Sequence, residues 1–442
     1  MTPNWSKWPQ REKEMNVKTN MNRRSMLRGG AALMAAPAIL SASRAMAQAN
    51  KFTIGFVNPG TGPLAGFGES DQYVMQTAKA AMAGLTNNGS PVEVEIIYKD
   101  TQSNSNRAAE VAVELIERDG ANLIVASGAP DTTNPVADQC ELNEIPCITT
   151  VAPWQPYFFG RNGNPATGFD FSYHFFWGLE DVIANFLNLW DDSGVTSKNI
   201  GGLFPNDADG NAWGDPELGL PKPLAARGYN VIDPGRYQVM NNDFSSQIAA
   251  FKDAGCEIVT GNQIPPDFAT FWSQAAQQNF NPKVVTIGKA LLFPSVIESL
   301  GARGDGLTTE IWWTPTHPFS SSLTGETAKQ LANGYTASSG RTWTQPLGFV
   351  HALFEVAADV AKRSEALDDP YANTAALAAT NLDTVVGNIA WNGSERNPVK
   401  NVVRTPLVAG QWQLDGGKPE LIVTNNNEAS NIPVGGEMKL IG

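Results

Sequence analysis

Four small residues, Ser127-Gly128-Ala129-Pro130, separate an apolar run, Leu123 to Ala126, from a helix-starting Asp131-Thr132-Thr133. A strand that opens through a small-residue turn into a helix presents bare backbone N–H groups at the carboxyl end of a sheet. Such a turn binds an anionic or carbonyl head group without a positive side chain; an ordinary βα turn uses the same residues. A second glycine loop, Gly60-Thr61-Gly62-Pro63-Leu64-Ala65, follows the strand Phe52 to Val57 and fits the loose dinucleotide fingerprint G-x-G-x-x-G/A. Pro63 removes an N–H where a pyrophosphate needs donors. The acid ending the next strand, Asp100, also lies 40 residues from Gly60 rather than about 20. Three histidines, His174, His317 and His351, form no HExxH or carboxylate cluster, and there is no G-x-S-x-G elbow or Walker loop. This is little acid–base equipment for an enzyme, and no cofactor is expected.

The elements that must position these residues alternate. Strands are expected at Phe52–Asn58, Val92–Lys99, Leu123–Ala126 and Cys147–Thr150, separated by helices at Gly68–Gly84, Asn104–Asp119 and Asp131–Asn143. Pro, Gly and aromatics interrupt the rhythm from Ala152 to Gly168. A second βα series then runs from Trp177 through strands at Asn199–Phe204, Tyr229–Ile232, Ile258–Thr260 and Val284–Ile287. A strand at Glu310–Trp313 and helices near Thr324–Ser339 and Pro346–Arg363 follow, and the tail from Val385 is strand-like with Gly and Asn turns. Alternating βα units imply parallel sheets covered on both faces. The expected fold class is therefore α/β, two doubly wound parallel-sheet lobes with a cleft between them.

Charge divides the 442 residues unevenly. The net charge is −13, yet residues 1–47 hold eight Lys/Arg against two Asp/Glu, which leaves −19 for the rest. So acidic a body excludes nucleic acid as a partner. The basic end carries Asn22-Arg23-Arg24-Ser25-Met26-Leu27-Arg28, a weakly apolar stretch to Leu40, and Ala45-Met46-Ala47 before Gln48. This is the pattern of a twin-arginine signal peptide, residues 1–47, with a mature chain of 395 residues in the periplasm. No Cys precedes Cys140, so no lipid anchor is expected. An oxidising compartment permits a short-loop disulfide between Cys140 and Cys147, with Cys256 unpaired.

From Phe52 onward the chain resembles the leucine/isoleucine/valine-binding proteins of ABC importers, the type I periplasmic binding fold. The resemblance rests on Ile54-Gly55-Phe56 with Thr61 to Gly68, on Asp100-Thr101-Gln102, and on Asn206 to Gly214 ending Trp213-Gly214. Asn242-Asp243-Phe244-Ser245 and Ala390-Trp391 with Gly393 complete it. It implies a non-enzymatic receptor that holds a small carboxylate-bearing ligand between closing lobes and delivers it to an inner-membrane permease. Three hinge crossings would make lobe one 51–168 plus 290–400 and lobe two 169–289 plus 401–442. An exported nicotinamide-dependent oxidoreductase with a Rossmann-like lobe is the alternative, since twin-arginine export suits proteins that fold around a cofactor.

Carried over residue by residue, the resemblance implies that Phe67 lies against the ligand. Ser127, Gly128, Ala129 and Thr132 of the turn, with Thr150, Val151 and Ala152, would grip its carboxylate. The family's hydroxyl after Ala152 is replaced by Pro153-Trp154, and Trp213 stands for a Tyr. Trp154 and Trp213 would either sandwich a flat ligand or pack in the hinge. Asn262 would line the second lobe. Where the family places acids for the ligand's ammonium, this chain has Phe171-Ser172-Tyr173-His174 and Ile287-Gly288-Lys289-Ala290. Tyr173 and Lys289 then join the site, and a free Lys289 would favour an organic or aromatic acid over an amino acid. Asp170 or Asp267 would supply the missing acid if the register is shifted.

Overall fold

A computed structural model describes residues 51–441, and the twin-arginine segment lies outside them. Two sheets organise the chain. The first has six strands in the order β11-β5-β4-β3-β1-β2. These are β1 (Lys51–Asn58), β2 (Glu93–Asp100), β3 (Leu123–Ala126), β4 (Cys147–Thr150), β5 (Ser172–Phe175) and β11 (Val402–Val403). All of its pairings are parallel. The second has seven strands in the order β13-β12-β10-β9-β8-β6-β7. They are β6 (Asn199–Leu203), β7 (Asn230–Ile232), β8 (Ile258–Gly261), β9 (Val284–Ile287), β10 (Thr308–Ile311), β12 (Val408–Asp415) and β13 (Lys418–Asn425). Only β12 runs against the others, pairing antiparallel with both β10 and β13. Two short hairpins stay outside both sheets.

The residue types explain the layers. Strands β3, β4, β8 and β9 are buried at every position, as parallel strands with helices on both faces must be. The helix Pro346–Arg363 lies against β3 and β4 with nearly every side chain buried. Its His351 is a core residue, with Nε2 2.8 Å from the Ser321 hydroxyl. On the second lobe the helix Leu179–Asp192 turns Val182, Phe186 and Trp190 inward, and the Trp190 indole N–H donates to the Thr286 hydroxyl of β9 at 2.9 Å. Several helices begin with proline at the first position, among them Pro130–Leu142 and Pro265–Gln277, where the missing N–H would have lacked a helical partner.

Sheet membership moves the expected crossings. β5 pairs with β4 and β11, so the chain leaves the first sheet after Phe175 rather than at 168. β10 pairs with β9 and β12, so the return follows Ile311 rather than 289. The last passage lies between β11 and β12, past the expected 400. β5 was hidden because it is short and polar, Ser172-Tyr173-His174-Phe175; buried partners satisfy His174, which sits 2.8 Å from both the Thr149 hydroxyl and the Ala152 carbonyl. Arg404 of the third passage pairs with Glu180 and Asp181 at the first, at 3.4 and 2.8 Å, tying the two together.

The cysteines depart from expectation as well. Cys140, Cys147 and Cys256 are all free thiols. Cys140 and Cys147 sit side by side within an apolar cluster, where burial pushes the Cys140 thiol up and both serve as small core residues.

Candidate functional site

Within each sheet the leading parallel strands run in the order second-first-third-fourth-fifth, β2-β1-β3-β4-β5 in one and β7-β6-β8-β9-β10 in the other. In that topology the crevice lies beyond the carboxyl ends of the strands, beside the first and third. The strand ends of the two sheets meet there. They line a recess of about 330 Å³, part of it open to solvent, formed by Phe67, Ala129, Val151, Pro153, Phe176 and Trp177 with Asp209, Trp213, Asn262, Lys289, Leu292, Glu310 and Trp312.

Of the residues expected to bind ligand, Phe67, Ala129, Val151, Trp213, Asn262 and Lys289 line this cavity. The others are not among the residues lining it. The Thr150 hydroxyl donates to the Phe175 carbonyl at 2.6 Å, and Thr132 folds back onto the Ala129 carbonyl at 3.1 Å. The Ser127 N–H is spent on the Val57 carbonyl. Gly128, at φ +105°, lets Pro59 approach so closely that a Cβ would meet it at 2.8 Å. The Ala152 carbonyl is held by His174. Tyr173 packs on Trp391 with ring centroids 5.2 Å apart. Trp154 takes the hinge position rather than the sandwich: its indole N–H donates to Glu180 at 3.0 Å and its ring lies 5.6 Å from Phe159.

The first lobe contributes backbone and rings. The N–H groups of Gly128 and Ala129 have no hydrogen-bond partner among the described residues. Val151 holds φ +62°, a strained conformation for a β-branched residue. Aromatic residues form a continuous wall: Trp312 to Phe176 at 5.2 Å, Phe176 to Trp177 at 4.8 Å, and Trp177 to Trp213 at 6.4 Å. The indole N–H groups of Trp177, Trp213 and Trp312 are buried without partners, as are both polar atoms of the Asn262 amide. Buried donors in native proteins nearly always find partners. So many unpartnered groups around one cavity fit a site made for a polar ligand.

The second lobe contributes charge. Lys289, at φ +59°, points its ammonium to Asp209 Oδ2 at 2.8 Å and Asp207 Oδ2 at 3.1 Å. Burial opposes that ammonium, but Asp207 and Asp209 together hold its pKa above the ordinary lysine range. Asp209 is pushed up to about 6 by burial, against the pull of Lys289. Lys289 is thus already neutralised, and the expectation that it would attract an anion does not hold. The acids responsible, Asp207 and Asp209, along with Phe176, Trp177, Glu310 and Trp312, were missed in the sequence. Glu310 alone left a trace there, as an acid inside the apolar run Glu310-Ile311-Trp312-Trp313.

Asp170 and Asp267 do not supply a ligand acid, since neither lines the cavity. Asp267 accepts the Met240 N–H at 3.2 Å. The dinucleotide-like loop is consumed internally as well. Asp100 accepts from the Gly60 N–H at 2.8 Å, the Thr61 N–H at 3.2 Å and the Thr61 hydroxyl at 2.6 Å, which removes the donors a pyrophosphate would need. No helix among the described residues is long and apolar enough to cross a membrane.

Solved structures share this architecture. A leucine-binding protein from Thermotoga maritima is 19% identical, with a TM-score of 0.66 over 85% of this chain and 99% of its own. A branched-chain amino acid transporter substrate-binding protein from Streptococcus pneumoniae, in complex with isoleucine, is 16% identical at a TM-score of 0.66, over 85% and 100%. An ABC-transporter solute-binding protein from Rhodopseudomonas palustris, in complex with 3,4-dihydroxybenzoic acid, is 17% identical at 0.67, over 86% and 98%. No curated protein matches the chain in sequence. The periplasmic binding protein family model matches residues 51–417. The two-lobed α/β chain, with a cavity where its strand ends meet, belongs to the periplasmic binding protein family of non-enzymatic transport receptors.

Proposed function

We propose that the protein is the solute receptor of a branched-chain-amino-acid-type ABC importer, exported by the twin-arginine route and serving an inner-membrane permease. Its lobes close on a small carboxylate-bearing ligand, an organic or aromatic acid or an amino acid. The observation that carries this reading is the aromatic-walled cavity lined from both sheets, where the unpartnered Ala129 N–H and three unpartnered indole N–H groups stand ready for ligand oxygens. Aromatic walls suit an organic body, because they supply large apolar contact with a polar edge. Relatives of the same fold hold isoleucine or 3,4-dihydroxybenzoate, which supports both ligand classes.

The test is a thermal-shift screen of the mature protein against amino acids and a panel of aliphatic and aromatic acids. A ligand at 100 times its Kd stabilises the native state by about 2.7 kcal/mol, a rise of about 2 °C or more for a chain of this size. Hits that vanish when Trp213 is changed to Ala place binding in this cavity. A panel without a single hit overturns the reading.

A further inference from the structure

Val151 stands in a conformation that its side chain disfavours. It is a β-branched residue at φ +62°, 3% exposed, and it lines the cavity together with Pro153. Such backbone persists only where the surrounding fold over-determines it. Before it, the ladder between β4 and β5 sets Thr150 opposite Phe175. After it, the Trp154 N–H donates to the Trp177 carbonyl at 3.1 Å. Between these ties the Ala152 carbonyl meets His174 Nε2 at 2.8 Å. A carbonyl only accepts, so Nε2 carries the ring proton, and Nδ1 accepts from the Thr149 hydroxyl, also at 2.8 Å.

The imidazole is itself clamped. It stacks on the Tyr157 ring, with centroids 4.0 Å apart and planes inclined by 15°. The Tyr157 hydroxyl accepts from Arg161 at 2.7 Å, and the same guanidinium reaches Asp138 at 2.7 Å and the Ser172 hydroxyl at 3.2 Å. Burial lowers the His174 pKa to about 3, against the pull of the Ala152 carbonyl, so the ring is neutral and keeps a single proton. His174 is fully buried and does not line the cavity, so its effect on a solute passes through Val151 and Pro153. A phenylalanine here would keep the size and the stack, but it would deny the buried Ala152 carbonyl this donor.

We infer that His174 is a positioning residue of the solute site: its Nε2–H bond to the Ala152 carbonyl holds Val151 in the left-handed turn and so fixes the first-lobe wall. This inference rests on reading the cavity as the ligand site. The cost of the Val151 conformation is met by β5 and not by the solute, which finds its wall already formed.

The experiment compares wild-type mature protein with His174→Phe, His174→Gln and His351→Phe. One readout is calorimetric titration with the amino-acid and organic-acid panel, isoleucine and 3,4-dihydroxybenzoate included. The other is hydrogen exchange of the unliganded protein over residues 150–154. His174→Phe should weaken every panel member that the wild type binds at least 10-fold, and should speed that exchange by as much. His174→Gln, which restores an N–H donor, should recover most of both. His351→Phe alters an equally buried histidine whose ring bonds Ser321 outside the cavity. It should lower the melting midpoint and leave both readouts within twofold. Binding by His174→Phe within twofold of wild type, or exchange that is not accelerated, overturns the inference and leaves the receptor reading standing. Equal weakening by His351→Phe does the same, since the effect would then be one of stability alone. If no panel member binds the wild type, the receptor reading fails and the role of His174 in it fails too. Should His174→Phe not fold, nitrogen-15 spectra of the wild-type histidines decide. A His174 ring protonated on Nδ1 cannot hold the carbonyl and overturns the inference, whereas one protonated on Nε2 upholds it.

Discussion

The two lobes present different chemistry to the same cavity. The first offers backbone and hydrocarbon: Ala129, Val151, Pro153, Phe67 and Phe176, with no charged side chain on its wall. The second offers Asp209, Asn262, Lys289 and Glu310. Backbone N–H groups on a rigid strand end bind carboxylates of any solute equally well, whereas side-chain charges vary from one sequence to the next. On the proposed receptor reading, general affinity would reside in the first lobe and selectivity in the second. Two buried glutamates repeat the contrast. Glu355, under the first lobe, accepts from the Val385 N–H at 3.0 Å and the Ser322 hydroxyl at 2.8 Å, as well as the Ser322 N–H, and is a core group. Glu310 is likewise held by the Thr309 hydroxyl at 3.0 Å and the Lys289 N–H, but it faces the cavity rather than the core.

The strongest way to break this comparison is Gly288→Val. Its Cβ would fall on the Trp213 ring and the Glu310 oxygens, filling the second-lobe floor. Titration should show binding reduced more than 100-fold, and retained binding would show that the charged wall is not where ligands sit. Next is Lys289→Met, which strands Asp207 and Asp209 in a buried site. Denaturant unfolding should register a loss of about 3–5 kcal/mol, the usual cost of removing one member of a buried pair. A loss under 1 kcal/mol would mean that water, not the lysine, balances those acids.

Stability should also depend on pH in a defined direction. Burial pushes both Glu310 and Glu355 up to about 7 from 4.5. The native state then binds protons that the unfolded chain has released, so their contribution is complete below about pH 4.5 and is lost as the pH climbs through 7. Each amounts to about 3 kcal/mol at most. Glu310→Gln should flatten the fall between pH 5 and 7.5 by its share, and an unchanged slope would show that Glu310 is ionised in the free protein. The smallest effect is expected from Thr150→Val in the first lobe. It removes a hydrogen bond to Phe175 and should cost about 1 kcal/mol, with ligand affinity unchanged within twofold. A larger loss of affinity would mean that this hydroxyl turns to the ligand after all.

Where the sequence was legible follows from these physics. β3, β4, β9 and the helix Pro346–Arg363 have the bounds expected, because unbroken apolar runs and proline starts are local signals. β5 was not legible, since Ser172 and His174 are tolerated in a buried strand only by partners elsewhere in the fold, among them Arg161 for Ser172 and Thr149 for His174. The turn at Ala129 and the strand end at Val151 were found from their position, but which side chain faces the cavity depends on the pleat. Thr150 and Val151 are neighbours that point to different places. Lys289 was misjudged because the aspartate that shares it lies 82 residues away in sequence. Glu310 could be seen as an acid in a strand, and its lack of a cation partner among the described residues could be seen only in three dimensions.

Asp131, at the first lobe's helix start, faces the Ala208 N–H and the Lys289 ammonium of the second lobe. It borders an outer, polar recess lined by Pro63, Ser103, Asn104, Asp131, Asp207 and Lys289, which shares Lys289 with the inner cavity. Lys289 thus meets one acid from each space, Asp209 lining the inner cavity at 2.8 Å and Asp207 lining the outer recess at 3.1 Å. A change at this one ammonium therefore reaches both spaces at once.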